Sequence, residues 1–254
     1  GGGGAGAVGG RGGGGGRGEG GGGGGGRGGV AEIKFASSPE VLKDMWIRLG
    51  VENYQRGSLD LAESILRRVW NLREAERIGS VVALHLAEIY LQRGDRERAT
   101  RMLEESLALG QDPTGPVLMR LGDLALSAGD FAAAVEWYGR FAAENPTDPR
   151  RGEAVYLRAY ARYRTGSYGT ALEDAVSYLA SDKGGRFERD AEKLRVVLLR
   201  RLDRREEALS ALDAFVARYP EDIRARLDLL KLLFSLARYP ALLTQAEALV
   251  RAAP

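Results

Sequence analysis

The sequence predicts an all-α protein, a solenoid of about six helical hairpins that follows a glycine-rich tail. Three observations support this: the composition after residue 29, a short motif that recurs at nearly constant spacing, and helical periodicity of apolar residues around that motif. Ala, Leu, Arg and Glu dominate residues 30–254, and all four are helix-forming residues. This length suits one large domain or a repeat array.

The glycine-rich tail comprises residues 1–30. Its first 29 residues hold 22 of the 36 glycines, with three arginines and one glutamate. Glycine has no side chain to bury and loses the most backbone entropy on ordering, so we expect a disordered segment. The tail's net charge of +2 equals that of the whole chain, so the remainder is neutral with both signs interspersed. We therefore predict a low-complexity tail over 1–30 and a helical-repeat domain over 40–254.

Composition argues against several classes of function. A neutral surface of mixed charges gives no electrostatic reason for nucleic-acid or membrane binding. The chain has no cysteine, which rules out disulfides and thiolate nucleophiles but does not fix the compartment. No run of eighteen apolar residues occurs, so no membrane-spanning helix is expected. The sequence starts with Gly rather than Met, and no signal-peptide core precedes the domain. The cytoplasm is therefore slightly favoured, and the periplasm is the alternative if an N-terminal signal is missing.

A nine-residue motif recurs along the chain. Four copies are closely similar, and two weaker copies end at Ala208 and Leu242. The last residues of successive copies are 37, 35, 37, 37 and 34 positions apart. Such near-constant spacing indicates a repeat architecture. The close copies span Tyr54 to Ala62, Leu91 to Ala99, Leu126 to Ala134 and Tyr163 to Ala171.

Each motif predicts a helix–turn–helix unit. A stretch with apolar residues at i, i+3, i+4 and i+7 leads into a Gly, which can close a helix in the left-handed conformation. A Ser or Asp follows, and either can cap the next helix. The alanine that ends the motif is expected where the two helices cross, because its small side chain permits close approach. Such a hairpin leaves one face that only a neighbouring hairpin can bury.

The motif residues resemble the tetratricopeptide repeat family, whose pattern is W-x2-L-G-x2-Y, then A-x3-F, then P. Repeat 1 matches at Trp46, Leu49, Gly50, Gly57, Ala62, Leu66 and Val69, and repeat 3 at Leu118, Leu121, Gly122, Gly129, Ala134, Tyr138, Phe141 and Pro146. The resemblance implies a right-handed α-α superhelix over residues 40–254. Its repeats lie near 43–76, 80–113, 115–148, 152–185, 189–222 and 223–254.

The later repeats depart from this pattern. Arg158 stands where the family has leucine, and Asp203 and Ala237 replace the turn glycines of repeats 5 and 6. The last helix, expected over residues 241–253, carries enough apolar residues for two faces. Repeat arrays usually end on a polar face. We therefore expect either that these residues are a fragment of a longer chain or that this surface binds a partner.

No group of residues predicts catalysis, a cofactor or a metal site. His85 is the single histidine and lies between Leu84 and Leu86, which is typical of a structural residue. A metal site would have no second imidazole and no thiolate to use. Carboxylates such as those of Glu104 and Glu105 lie beside arginines at helical pairing distance, which indicates solvated ion pairs. We expect a protein that is not an enzyme.

By the resemblance, the first helix of each hairpin lines a concave groove, chiefly through its second, fifth, ninth, twelfth and thirteenth positions. The spacing of three tyrosines in repeat 4 independently places them on one helical face. Tyr and Arg often anchor protein interfaces; the alternative is that these tyrosines pack between adjacent hairpins. The predicted groove residues are Tyr54, Leu91, Leu126, Tyr156, Tyr160, Tyr163, Arg164, Arg200 and Arg201.

The resemblance implies a non-catalytic scaffold that binds a peptide or helix of a partner protein in this groove. A second hypothesis is a repeat region of a larger enzyme or cell-envelope assembly protein whose active domain lies outside the sequence. A third is RNA binding through the Arg/Gly tail. It is disfavoured because RNA-binding segments of this kind interleave aromatic residues, and the tail has none. The partner's identity and the oligomeric state stay open.

Overall fold

The computed structural model describes residues 39–73, 78–181 and 184–252, which form twelve α-helices and no β-strand. They belong to one compact unit, Pro39–Pro254. The all-α helical-repeat prediction is confirmed, whereas the predicted disorder and RNA binding of the tail concern residues outside the described ranges. The helices are α1 (Pro39–Gln55), α2 (Leu59–Trp70), α3 (Ser80–Gln92), α4 (Arg96–Ala108), α5 (Thr114–Ala128), α6 (Phe131–Glu144), α7 (Arg151–Arg164), α8 (Tyr168–Ser181), α9 (Glu188–Arg201), α10 (Arg205–Arg218), α11 (Ile223–Ser235) and α12 (Tyr239–Ala252).

The helices form six hairpins that stack in chain order. Each helix contacts the helix before it and the helix after it, and α1 also contacts α3, α3 contacts α5, and α7 contacts α9. The first helices thus lie side by side in hairpins 1 to 3 and in hairpins 4 and 5. We call the side of the array that the first helices line the first-helix face. Buried apolar residues run along the array in three clusters, because each hairpin buries its second face only against its neighbours.

The turn within each hairpin uses the left-handed conformation. Gly57, Gly94, Gly129 and Gly166 have φ between 78° and 83°, as the motif predicts. Their equivalents in the last two hairpins, Asp203 and Ala237, keep the same conformation with φ of 57° and 54°. A side chain in this region costs about 1–2 kcal/mol relative to ordinary helical geometry. The fold therefore imposes this turn even where glycine is missing.

The helix caps after these turns follow the prediction only in part. The carboxylate of Asp95 accepts a hydrogen bond from the backbone N–H of Arg98 at 3.0 Å, and Asp130 accepts one from Ala133 at 3.0 Å. Ser58 precedes α2 but its side chain makes no capping hydrogen bond. In that hairpin the turn depends on the glycine and on backbone hydrogen bonds alone.

Small residues let the two helices of each hairpin approach closely. The motif alanines Ala62, Ala99, Ala134, Ala171 and Ala208 are all completely buried. In α5, a Cβ atom on Gly122 would lie 2.6 Å from Cε1 of the Tyr138 ring. The Tyr138 hydroxyl donates to the Asp123 carboxylate at 2.7 Å, and burial raises the pKa of that hydroxyl well above its usual value. The ring is therefore fixed in a position that leaves no room for a larger residue at Gly122.

The arginine that replaces leucine in repeat 4 is held by an ion pair within the hairpin. Arg158 in α7 binds both oxygens of Asp174 in α8, at 2.8 and 2.7 Å, and Arg162 adds a third hydrogen bond at 2.7 Å. Asp174 is only 5% exposed. A charge can be buried here because every charge has a partner at hydrogen-bonding distance.

The two ends of the array expose side chains whose equivalents inside it are buried. Met45 in α1 is 59% exposed, whereas its equivalent Val82 in α3 is completely buried. Val250 in α12 is 74% exposed, whereas its equivalent Val216 in α10 is 6% exposed. Among the described helices, none is both long and apolar enough to cross a membrane.

Candidate binding groove

In the first hairpins, the polar groups of the first-helix face bind one another. The Tyr54 ring contacts the His85 ring edge-on with centroids 5.4 Å apart, and Gln92 Nε2 donates to the Tyr54 hydroxyl at 3.1 Å. His85 also lies within hydrogen-bonding distance of the Val81 carbonyl, 2.8 Å from Nδ1. These contacts tie α1 to α3 and give His85 a packing role.

The middle of this face is similarly paired. Arg120 in α5 binds the Glu88 carboxylate in α3 at 2.7 Å. The predicted groove residues Leu91 and Leu126 are partly buried and pack against the core. This part of the face offers few unpaired polar groups to a partner.

Tyr156 belongs to the core between hairpins 4 and 5. It is 9% exposed, stacks on Phe187 with centroids 4.6 Å apart, and contacts Tyr178 at 5.6 Å. Burial, the largest effect, raises the pKa of its hydroxyl to about 12. The placement of Tyr156 on an open groove therefore needs correction: aromatic packing across the junction covers this side chain.

The other side chains predicted in repeat 4 reach the surface. Tyr160 and Tyr163 are partly buried against the core, and Tyr163 contacts Tyr168 with centroids 6.0 Å apart. Arg164 is exposed, donates to the Tyr160 hydroxyl at 3.0 Å, and places its guanidinium over the Phe131 ring, 4.1 Å from the centroid. The structure thus joins these residues in an aromatic and cationic patch.

Arg200 and Arg201 lie in the last turn of α9 and are both exposed. Arg201 lies over the Tyr168 ring, 5.9 Å from its centroid. The Arg200 side chain has neither an ion pair nor a hydrogen bond to the described residues. Its full positive charge is therefore presented to solvent or to a ligand.

Arg200 borders a pocket of about 260 Å³ between α9, α10 and α11. Val196, Val197, Leu212, Phe215 and Ala225 provide its apolar lining, and Lys193, Arg200, Arg224, Asp222 and Asp228 its charged lining. The Asp222 carboxylate binds Lys193 at 2.7 Å and Arg189 at 3.0 Å. The hydrogen bond from Lys193 is the largest of the effects that lower the pKa of Asp222 to about 2.

Three further residues extend this site and were not singled out from the sequence. Arg224 is exposed, and its side chain has no ion pair with any described residue. Leu227 and Phe234 on α11 are 44% and 65% exposed. They occupy the second, fifth and twelfth positions of repeat 6, so the groove positions applied to repeats 1–4 would have found them. Because the motif of repeat 6 is weak, the sequence prediction did not include these residues.

The described residues contain no cluster of three or more His, Asp or Glu side chains that could hold a metal ion. What this face offers chemically is a pocket lined by apolar side chains, three cations and the acids Asp222 and Asp228, with exposed rings nearby, which suits recognition of a ligand.

Comparisons with known proteins agree with this architecture. Two family models described as tetratricopeptide repeat match the chain, one over residues 84–149 and 119–186 and the other over residues 196–222. No curated protein matches the chain.

Several solved structures share the fold. A tetratricopeptide repeat protein from Parabacteroides merdae is 17% identical, with 84% of this chain and 80% of that chain covered and a TM-score of 0.58. YrrB, described as a TPR protein with an unusual peptide-binding site, is 18% identical, with 71% and 88% covered and a TM-score of 0.58. PilF of Pseudomonas aeruginosa is 17% identical, with 84% and 92% covered and a TM-score of 0.55.

The recurring motif, the twelve helices and the matched family models lead to the same assignment. The chain belongs to the tetratricopeptide repeat family.

Proposed function

We propose that this array is a non-catalytic scaffold whose first-helix face binds an extended peptide segment of a partner protein. One observation carries the proposal: Arg200 and Arg224 are exposed without an ion pair in the described part of the chain, and both border the pocket between α9, α10 and α11. The exposed side chains of Leu227 and Phe234 lie on the same helix as Arg224. Cations beside apolar surface favour a peptide with both acidic and apolar side chains.

The physical basis is that some cations of this face already bind an acid of the chain, whereas others do not. In the first half, Arg120 already binds Glu88, so a partner carboxylate would have to displace an existing pair. At α9 and α11 it would gain charge-assisted hydrogen bonds without breaking any. Tyr and Arg anchors tend to dominate binding energy at protein interfaces. A preformed array also adds little reorganisation cost to binding.

Two further points support peptide binding. The cationic and aromatic surface continues from α9 to α7 through Arg164, Tyr160 and Tyr163. An extended segment would therefore contact cationic and aromatic side chains over more than one hairpin. The fold is shared with YrrB, whose description includes a peptide-binding site. That likeness concerns the fold, and the residues above are this chain's own.

The proposal can be tested by selecting random peptides displayed on phage against the full chain. We expect acidic and apolar peptides to be enriched. The double variant Arg200→Ala, Arg224→Ala should bind an enriched peptide about tenfold or more weakly, and Tyr160→Ala with Arg164→Ala should also weaken it. Arg101→Ala, on the exposed surface of α4, is the matched control and should bind normally. Failure to enrich any peptide, or equal affinity for the first double variant, would refute the proposal.

The exposed ends of the array favour a second candidate function, a repeat region within a larger enzyme or envelope-assembly protein. Met45 and Val250 occupy positions that a neighbouring hairpin covers elsewhere. If another helix covers them in the cell, Met45→Glu and Val250→Glu should leave the stability of this chain unchanged but disrupt the larger assembly. Native gel migration of the assembly would reveal the effect, and unchanged assembly with both variants would exclude this candidate.

A further inference from the structure

Repeats 4 and 5 share an arginine but not the acid that binds it. Arg158 in α7 has its equivalent 37 residues later in Arg195 of α9. The acid that holds Arg158, Asp174, corresponds to Ala211 in α10, and Arg162 corresponds to Leu199. Repeat 5 thus keeps one cation of a three-residue ion cluster and has lost both of the others.

Arg195 has been left without a binding partner of its own. Its side chain is half-buried, and it makes no ion pair or hydrogen bond with the residues that the structure describes. Glu207 is near enough for the charge of Arg195 to contribute to lowering its pKa, but the main cause is Arg204. Arg204 binds both oxygens of Glu207 at 2.6 Å. Water in the open cleft solvates this guanidinium, and a carboxylate that reached it would gain a charge-assisted hydrogen bond.

Arg195 lines an open cleft of about 700 Å³ between α8 and α10. The walls include Leu172 and Val176 from α8 and Leu199 from α9, and Val176 is 48% exposed. Glu173, Arg204 and Glu207 also belong to the lining. The cleft therefore combines branched apolar side chains with the unpaired Arg195, the acid Glu173 and the ion pair of Arg204 with Glu207.

This cleft is distinct from the groove on the first-helix face. Along α9, Arg195, Leu199 and Leu202 fall on one side of the helix at spacings of three and four residues. Lys193, Val197 and Arg200, which belong to the groove, fall on the opposite side. A ligand in the cleft would therefore leave the groove free.

We propose that this cleft binds a segment of a partner protein in which a Glu or Asp lies next to a branched apolar residue. The ligand carboxylate would pair with Arg195 from the side of the cleft, and the apolar side chain would contact Leu172, Val176 and Leu199. The unpaired guanidinium supports this choice, because Ala211 stands where repeat 4 has Asp174. The two acids of the lining do not bind Arg195: Glu207 is held by Arg204, and Glu173 makes no ion pair with Arg195 among the described residues. The inference does not depend on the proposed groove function.

The test uses the full chain labelled with ¹⁵N and the probe peptide acetyl-Ala-Leu-Glu-Leu-Ala-amide. The Nε–Hε resonance of Arg195, assigned by its loss in Arg195→Met, should shift saturably with the probe. The same peptide with Gln in place of Glu should bind about tenfold or more weakly, since a charge-assisted hydrogen bond is lost. Arg195→Met should weaken the Glu peptide to the same extent.

A second variant supplies the missing acid from within. Ala211→Asp recreates the register of Arg158 and Asp174, and it should block probe binding by occupying Arg195. The double variant Arg200→Ala, Arg224→Ala should bind the probe normally, which separates this site from the groove. Circular dichroism checks that each variant keeps its helices. If Ala211→Asp does not fold, the comparison of Glu and Gln peptide affinities on the unaltered chain still tests the proposal.

Two results would overturn the proposal. One is equal affinity for the Glu and Gln peptides. The other is an Arg195 Nε–H already protected from exchange in the free chain, since Glu192 has a buried carboxylate oxygen without a hydrogen-bond partner and could hold Arg195 internally.

Discussion

Replacing Asp174 with alanine should destabilise the fourth hairpin strongly. The Asp174 side chain is 7% exposed and accepts hydrogen bonds of 2.7–2.8 Å from Arg158 and Arg162. Breaking a buried ion pair by removing one partner costs about 3–5 kcal/mol. Because the two arginines remain 21% and 25% exposed, water can partly solvate them. We therefore expect a loss of about 2–3 kcal/mol in the free energy of unfolding.

Urea denaturation followed by circular dichroism measures this loss, and amide hydrogen exchange in α7 and α8 localises it. Arg158→Leu is the matched control, since it introduces the family's residue and leaves Asp174 paired with Arg162. It should lower stability by less than Asp174→Ala does, because the Asp174 carboxylate keeps its hydrogen bond to Arg162. A loss below about 0.5 kcal/mol for Asp174→Ala would lie within the range of neutral surface changes. It would refute the argument that leaving Arg158 and Arg162 without their acid lowers stability.

Three other changes test the fold. Gly122→Ala should lower stability by about 1–3 kcal/mol, because the new Cβ overlaps the fixed Tyr138 ring; a thermal melt measures it. Ala237→Gly should raise the melting temperature, since it relieves a positive φ of 54°. The Asp222 pKa is lowered to about 2, below its unfolded value of about 3.9. Its stabilising contribution is therefore present above pH ~4 and lost as pH falls from ~4 to ~2, which urea titrations of the unaltered chain and Asp222→Asn should show.

Matched controls make these tests specific. Gly139→Ala places a Cβ 3.7 Å from the Arg158 side chain, an ordinary contact, so it should stabilise α6 through helix propensity. A loss as large as that of Gly122→Ala would mean that helix context rather than ring overlap is responsible. A lower melting temperature for Ala237→Gly would show that glycine's entropy outweighs the relieved strain. If the Asp222→Asn variant loses as much stability between pH ~4 and ~2 as the unaltered chain, protonation of Asp222 is not the cause of that loss.

The sequence predicted local structure best at positions where the local geometry accepts only one kind of residue. Gly57 and Gly129 predict left-handed turns because glycine alone adopts that conformation without cost, and both have positive φ. Ala134 predicts a helix crossing because only a small side chain fits there, and it is completely buried. Ser58 shows the limit: it occupies a capping position, but its exposed side chain makes no capping hydrogen bond.

The candidate site was harder to predict. Helical periodicity places Tyr156 and Tyr160 on the same face, but Phe187, from the segment between α8 and α9, stacks on Tyr156 and covers it. The position of Phe187 follows from the stacking of two hairpins and leaves no periodic signal in the sequence. Arg200 was identified from the sequence, whereas its lack of an ion pair could be seen only once every neighbouring acid had a position.

The sequence by itself determined the helical-repeat architecture, since period, turn residues and crossing alanines are local properties that recur in every unit. Tertiary structure alone decided which charges are paired. Arg158 and Arg195 occupy the same position of successive repeats, yet Asp174 binds the first and Ala211 stands where the second would need an acid. Pairing depends on distances of a few ångströms between different helices, and those distances are fixed only when the hairpins pack.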